Sequence, residues 1–166
     1  MTALYLIVGI VACQRIAELA YARLNERRLL ALGGHEIGRR HYPLFILLHG
    51  AWLLAMLVMI SPGRSPNWSL IGVMAMLQLL RLWVVQTLGP YWTTRVITLP
   101  NAPLIRRGPF RFLRHPNYII VVAEIAVLPL AFGAYGIALV FTLLNLLLLG
   151  WRIHVEEQAL ALRRRL

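Results

Sequence analysis

The stretch GPFRFLRHPNYIIVVAEI, residues 108–125, opens as a basic, proline-broken loop and closes as an apolar helix. His115 stands at the junction, and Glu124 lies well inside the apolar part. An ionisable side chain within a membrane span costs on the order of 2.5–3.5 kcal/mol on insertion scales and needs a partner. The stretch therefore reads as the edge of a membrane followed by a span whose carboxylate looks away from lipid.

Composition agrees. Of 166 residues, 60% are hydrophobic, against about 45–50% in ordinary soluble domains, and mean hydropathy is +0.70. One domain of this length has too little interior to hide that much apolar surface. All seventeen basic residues are arginine, all six acidic residues are glutamate, and the net charge is +11. A basic chain often binds nucleic acid. Here the arginines sit at the ends of apolar segments, the pattern of a cytoplasmic membrane face, so nucleic acid is set aside. Cys13, the one cysteine, excludes an internal disulfide and a cysteine zinc cluster. The N-terminus lacks a basic n-region and a small-residue cleavage site, and reads as a retained helix.

Working outward, runs long enough to cross a bilayer (~20 residues) fall at Thr2–Ala22, Tyr42–Ile60, Trp68–Leu88, Asn117–Phe132 and Tyr135–His154. The fourth is short and joined to the fifth through Gly133-Ala134, which predicts a helical hairpin. The first extends as the arginine-rich YARLNERRLLAL until Gly33-Gly34 stops it. The expected fold is an all-α integral membrane protein of about five transmembrane helices, the last two a hairpin, with an ordered cytoplasmic loop before helix four. Arginines crowd the first and third connections and the C-terminal end, which places the N-terminus outside and the C-terminus inside. The whole of 1–166 is expected to be one transmembrane domain, with a three-helix part (1–92) and a loop-plus-hairpin part (93–166).

Polar residues inside the spans point to function or to packing. Arg15 and Glu18, three apart, can pair on one helix face, and read as a structural ion pair. Arg81, three residues from Gln78, either snorkels to the membrane edge or meets an anion. His49 reads as a hydrogen-bonded core histidine, and HEIGRRH (35–41) gives weak support for zinc, so no metal site is assigned. On span four, Asn117, Val121, Glu124 and Leu128 share a face; on span five, Asn145, Leu149, Arg152 and Glu156 share another. Two polar stripes on consecutive helices imply either a pocket between them, open to the cytoplasm, or a hydrogen-bond zipper such as Asn145 to Glu124. Arg114, His115, Arg152, Glu156 and Glu157 would gather at the mouth of that pocket.

Arg-His-Pro-x-Tyr before one span (RHPNY, 114–118), Glu-Glu after the next (156–157) and Gly-Pro-aromatic ahead of both (GPF, 108–110) resemble the isoprenylcysteine carboxyl methyltransferase family of membrane enzymes over roughly residues 86–160. Arg15, Glu18, His41-Tyr42, His49, WTTRVITLP and RHPNYIIVVAEI are similar to a bacterial branch associated with O-methylation of alkylpyrones and alkylresorcinols. The chain departs from the family in Ile120, where glycine is frequent, and in ALALRRRL after the Glu-Glu pair.

The resemblance implies an S-adenosylmethionine-dependent methyltransferase of a bacterial cytoplasmic membrane. Its cofactor would sit at the cytoplasmic end of spans four and five, and a lipid acceptor would enter sideways from the bilayer. His115, Asn117 and Tyr118 would contact the cofactor, with backbone from Leu104 to Gly108 around the adenine. Arg152 or Arg114 would take the cofactor carboxylate. Glu156 would hold the ammonium or the ribose, and Glu157 would brace an arginine. Glu124 and Asn145 would lie nearest the acceptor. A carboxylic acceptor needs no base, whereas a phenol, near 10 in acidity, gains from one; buried Glu124 is the candidate. The alternatives are an NADPH-dependent membrane lipid reductase and a non-enzymatic lipid-binding or transport subunit.

Overall fold

A computed structural model describes residues 2–39, 42–99 and 105–163, with side chains as far as residue 157. Five helices account for most of it: α1 (Ala3–Ala31), α2 (Tyr42–Met59), α3 (Trp68–Leu88), α4 (Pro116–Ala131) and α5 (Tyr135–Arg163). Four are long and apolar enough to cross a membrane, and α4 is a shorter apolar helix. The chain is thus a multi-pass, all-helical membrane protein, as its runs of apolar residues predict.

The helix ends follow from local chemistry. α1 runs unbroken through its arginine-rich extension and stops where Gly33 takes φ 89°. There Gly34 N–H bonds back to the Leu29 carbonyl at 2.9 Å, the glycine-dependent closure that helix C-termini favour. Asn67 caps α3 by accepting from the N–H groups of Ser69 and Leu70. α4 starts with Pro116 in its first turn, where no N–H is required. The α4–α5 hairpin turns at Gly133, φ 64°, with Ala134 N–H on the Pro129 carbonyl at 2.9 Å. The positive φ favours glycine there, and a Cβ would displace only the flexible guanidinium end of exposed Arg64, 2.6 Å away.

The helices form a closed ring. α2 packs on α1 and α5, and α4 packs on α3 and α5. α3 reaches α1 through Arg81, whose Nε lies 2.6 Å from Glu18. Outward faces are apolar and bare: Leu47, Leu79 and Leu147 are each more than 65% exposed. Such a surface requires lipid around it. Inside, Leu4, Val8, Trp52, Met56, Met74, Ile125, Leu128 and Phe132 make a hydrophobic cluster toward the end of the ring that holds the α2–α3 and α4–α5 turns. A second, smaller cluster of Ala22, Val84, Trp92 and Ile120 lies toward the opposite, arginine-rich end.

One element was not legible beforehand. β1 (His35–Ile37) and β2 (Val96–Thr98) pair antiparallel, with Glu36 opposite Ile97. This ribbon ties the α1–α2 connection to the long loop before α4. That loop is ordered by two short 3-10 turns, Gly89–Tyr91 and Gly108–Arg111. Asn25 of α1 donates to the carbonyls of Gly89 and Trp92 at 3.1 and 2.9 Å, fixing the loop's start over the ring.

Candidate functional site

The residues at the α4 and α5 ends do converge. Tyr118 O–H donates to Glu156. Arg152 Nε donates to the Tyr118 oxygen at 2.8 Å and to Glu156 at 3.0 Å. The His115 ring stacks on that of Tyr118, centroids 5.1 Å apart and planes 6° apart, and its Nδ1 lies 3.6 Å from Glu156. Arg152 also donates to the Thr94 carbonyl at 2.7 Å, which holds the long loop against α5. Positions 152 and 156 are one turn apart on α5, so one helix face presents both charges to Tyr118.

Two cavities meet on this cluster. The more polar one, of about 250 Å³, is lined by Tyr91, the β2 strand, Phe110, Arg114, His115 and Glu156. Arg114 makes no ion pair among the described residues and is exposed. An apolar one of about 300 Å³ lies between α1, α2, α4 and α5, and is lined by Ile16, Leu19, Phe45, Ile46, His49 and Leu53 among others. Trp92, Thr93, Asn117, Tyr118 and Arg152 line both, so these five side chains form the partition. Together the cavities fall within the ~300–1,000 Å³ of small-molecule sites. Ile16 and Ile46 are 67% and 41% exposed on the outer surface while also lining the apolar cavity, so the gap between α1 and α2 opens sideways. The Asn117 Oδ1 is buried on this partition without a partner among the described residues, an acceptor available to a ligand.

Two expected site residues are elsewhere. Glu124 is fully buried and lines neither cavity. Its carboxylate accepts from Arg15 at 2.5 Å, Arg81 at 3.1 Å and Gln78 at 2.9 Å. Arg15 and Arg81 also hold Glu18, which accepts from Gln14 as well. The stripe on α4 therefore looks to α1 and α3 at the level of Glu124, because two guanidiniums are there. A base needs a free lone pair to take up a proton, and this carboxylate already accepts three hydrogen bonds, two of them from guanidiniums. Asn145 is fully buried on α5, lines neither cavity, and neither of its amide atoms has a partner among the described residues. The Asn145-to-Glu124 zipper is not formed.

Of the remaining positions, Glu157 is exposed and outside both cavities. Gly108, φ 55°, supports the loop: a Cβ there would fall 2.7 Å from the Thr87 hydroxyl. Leu104 lies outside the described residues. The partition residues Trp92 and Thr93, and Phe45 on α2, were not singled out by their sequence. Their roles come from which helices adjoin, and only the Trp-Thr-Thr run before the basic loop hinted at them. Arg81 meets anions, as one of its two readings held, and the Arg15–Glu18 pair is formed at 3.1 Å.

The isoprenylcysteine carboxyl methyltransferase (ICMT) family profile matches residues 70–162. The chain is 34% identical over 160 residues to the "Uncharacterized protein YpbQ" of Bacillus subtilis (strain 168), covering 94% of this chain and 95% of that one. It is 28% identical over 152 residues to an "Uncharacterized protein" of Haemophilus influenzae, covering 89% and 88%. No solved structure matches. The family match spans α3 through α5, including the partition and the stacked cluster of His115, Tyr118, Arg152 and Glu156, and the chain belongs to the isoprenylcysteine carboxyl methyltransferase family.

Proposed function

We propose that the protein transfers a methyl group from S-adenosylmethionine to an oxygen of a lipid dissolved in the membrane. The observation that carries this reading is the shared partition: a polar cavity and a lipid-accessible apolar cavity meet at Asn117, Tyr118 and Arg152. A methyltransferase needs that arrangement, because a charged, water-soluble donor and an apolar acceptor must meet at one point with water kept away.

The donor set of the polar cavity suits the cofactor. Arg114 offers a guanidinium to its carboxylate. Glu156 offers negative charge to its ammonium. Tyr91, Phe110 and Ile97 offer flat and apolar surface to its adenine. The methyl sulfonium supplies an electrophilic carbon and a neutral leaving sulfide, so no metal is required. The chain's own part is positional. His115 and Glu156 fix the Tyr118 ring, Arg152 fixes its hydroxyl, and the β-ribbon with Arg152 closes the loop over the cavity. Asn117 gives the partition one free acceptor. The acceptor is either a hydroxyl of the alkylpyrone or alkylresorcinol type or an isoprenylcysteine-type carboxylate. The arginine-rich connections lie on the cytoplasmic face in this reading, where the cofactor is.

The test is ligand-dependent thermal stability of purified protein in detergent. S-adenosylmethionine and S-adenosylhomocysteine at ~100 Kd add about 2.7 kcal/mol of stabilisation, which raises the midpoint by about 5 °C or more. NADPH leaves it unmoved. A shift with NADPH alone would establish the reductase, and no shift with any of them the non-enzymatic alternative.

A further inference from the structure

We propose that the segment 106–114 is a docking site for anionic phospholipid headgroups, and that their binding tightens the polar cavity behind it. The docking stands on this surface alone; its coupling to a cofactor rests on the methyltransferase reading above. Charge, apolar exposure and position carry the docking.

Arg106, Arg107, Arg111 and Arg114 are all exposed, and none makes an ion pair among the described residues. Neighbouring arginines are matched: Arg39 and Arg95 hold Glu36, and Arg152 holds Glu156. Four like charges within nine residues repel one another unless anions lie among them. Guanidiniums suit phosphate oxygens, which they bind through paired N–H groups. Phe112 and Leu113 stand among these arginines, 76% and 45% exposed, with the Arg111 guanidinium 5.9 Å from the Phe112 ring. An orientation signal needs arginines and nothing more. Bare aromatic and aliphatic side chains set between arginines are the mark of a segment that lies on a lipid surface.

The fold puts the segment at that surface. Its 3-10 turn, Gly108–Arg111, packs on α3. A Cβ on Gly108 would lie 2.7 Å from the Thr87 hydroxyl and 3.4 Å from the Trp83 indole nitrogen. Trp83 is 46% exposed near the end of an apolar span, the place where indoles sit at headgroup level. Two residues after Arg114, Pro116 opens α4. The turn is therefore held at the bilayer's edge from both sides, within reach of phosphodiesters.

The segment has a second face. Phe110, Arg114 and His115 line the polar cavity, whereas Arg106, Arg107, Arg111, Phe112 and Leu113 line neither cavity. Headgroups on the outer arginines relieve their repulsion of Arg114 and hold the turn against α3. Phe110 and Arg114 are then in place before a ligand arrives, which lowers the ordering cost of binding. Anionic lipid is thus a positive effector of the cavity, and the coupling is reciprocal.

The test uses the full chain in lipid nanodiscs, as wild type and as the triple variant Arg106→Gln, Arg107→Gln, Arg111→Gln. Arg114, which faces the cavity, is left intact. First, electron paramagnetic resonance compares immobilisation of spin-labelled phosphatidylglycerol and phosphatidylcholine. Wild type is expected to prefer phosphatidylglycerol, and the variant to lose about fivefold or more of that preference. Equal preference in the two proteins would overturn the docking and leave this face to an acidic soluble partner. Second, calorimetric titration measures S-adenosylhomocysteine binding with and without phosphatidylglycerol in the disc. That ligand carries no net charge, so the surface potential does not itself concentrate it. Binding about fivefold tighter with phosphatidylglycerol is expected for wild type. The variant should bind as wild type does in phosphatidylcholine and gain nothing from the anionic lipid. Wild-type affinity that ignores the lipid would overturn the coupling. Absence of binding in every disc would overturn the methyltransferase reading instead, and the spin-label comparison would still decide the docking.

Discussion

At the scale of single residues, the decisive contacts are those of Glu124. Its carboxylate and that of Glu18 are shared between two guanidiniums contributed by α1 and α3. Two positive and two negative charges cancel, so the layer is neutral as a whole while each member depends on the others. Replacing Glu124 by Gln leaves Arg15 and Arg81 with one carboxylate between them in a buried site. Removing one partner of a buried ion pair typically costs about 3–5 kcal/mol. Glu124→Gln is expected to lower the unfolding midpoint in detergent by ten degrees or more, whereas the double change Glu124→Gln with Arg15→Met recovers much of the loss by restoring neutrality. Detergent unfolding curves of the three proteins check this. If the single variant proved as stable as wild type, the ion layer would not be what joins α1, α3 and α4. The sequence shows why only part of this was readable. Arg15 and Glu18 are three apart on one helix and their pairing follows from spacing. The partners across helices, 63 and 109 residues away, depend on ring order, which no local pattern contains.

At the scale of elements, the spans were plain because a run of twenty apolar residues has few other readings, and the hairpin because Gly133-Ala134 leaves room for little else. The β-ribbon was not, since three-residue strands are too short to display an alternating pattern. What holds it is an ion cluster: Arg95 lies 3.1 Å from Glu36 and 3.5 Å from Glu26, with its guanidinium 4.7 Å over the Tyr42 ring. Thr94 completes the clasp with Glu26 and the Tyr42 hydroxyl, each at 3.2 Å. β2 forms one wall of the polar cavity, so the clasp bears on whatever binds there. The Arg95 side chain is 37% exposed, and such pairs contribute about 0.5–1 kcal/mol. Arg95→Ala is therefore expected to weaken S-adenosylhomocysteine binding by about three- to fivefold. Isothermal titration at low and high salt checks it: added salt weakens wild-type binding toward that of the variant. Identical salt dependence in both proteins would separate the ribbon from the cavity. The apolar cavity was missed for a related reason. His49 reads as a core histidine along α2 alone; only the gap between α1 and α2 turns its face into a chamber wall.

At the scale of the whole molecule, helix alternation sorts the loops. The α1–α2 and α3–α4 connections and the end of α5 lie at one end of the ring, and the α2–α3 and α4–α5 turns at the other. The first group carries nearly all of the arginines outside the helices' apolar stretches; the second carries Arg64, packed against Gly133. Both cavities lie toward the arginine-rich end. Under the positive-inside rule, the proposed reading has the polar cavity facing the cytoplasm, where a soluble donor is available, and the apolar one opening into the bilayer. Single-cysteine labelling tests the orientation directly. Cys13 is exposed on the lipid side of α1 and is first changed to Ala. A cysteine is then placed at Gly63, in the α2–α3 turn where a side chain meets nothing within 4 Å, or at Phe112, which is 76% exposed beside the polar cavity. Intact cells treated with a membrane-impermeant maleimide should label Gly63→Cys, and Phe112→Cys only after the membrane is permeabilised. The reverse pattern would put the polar cavity outside the cell, away from any supply of S-adenosylmethionine, and the proposed reaction could not proceed there.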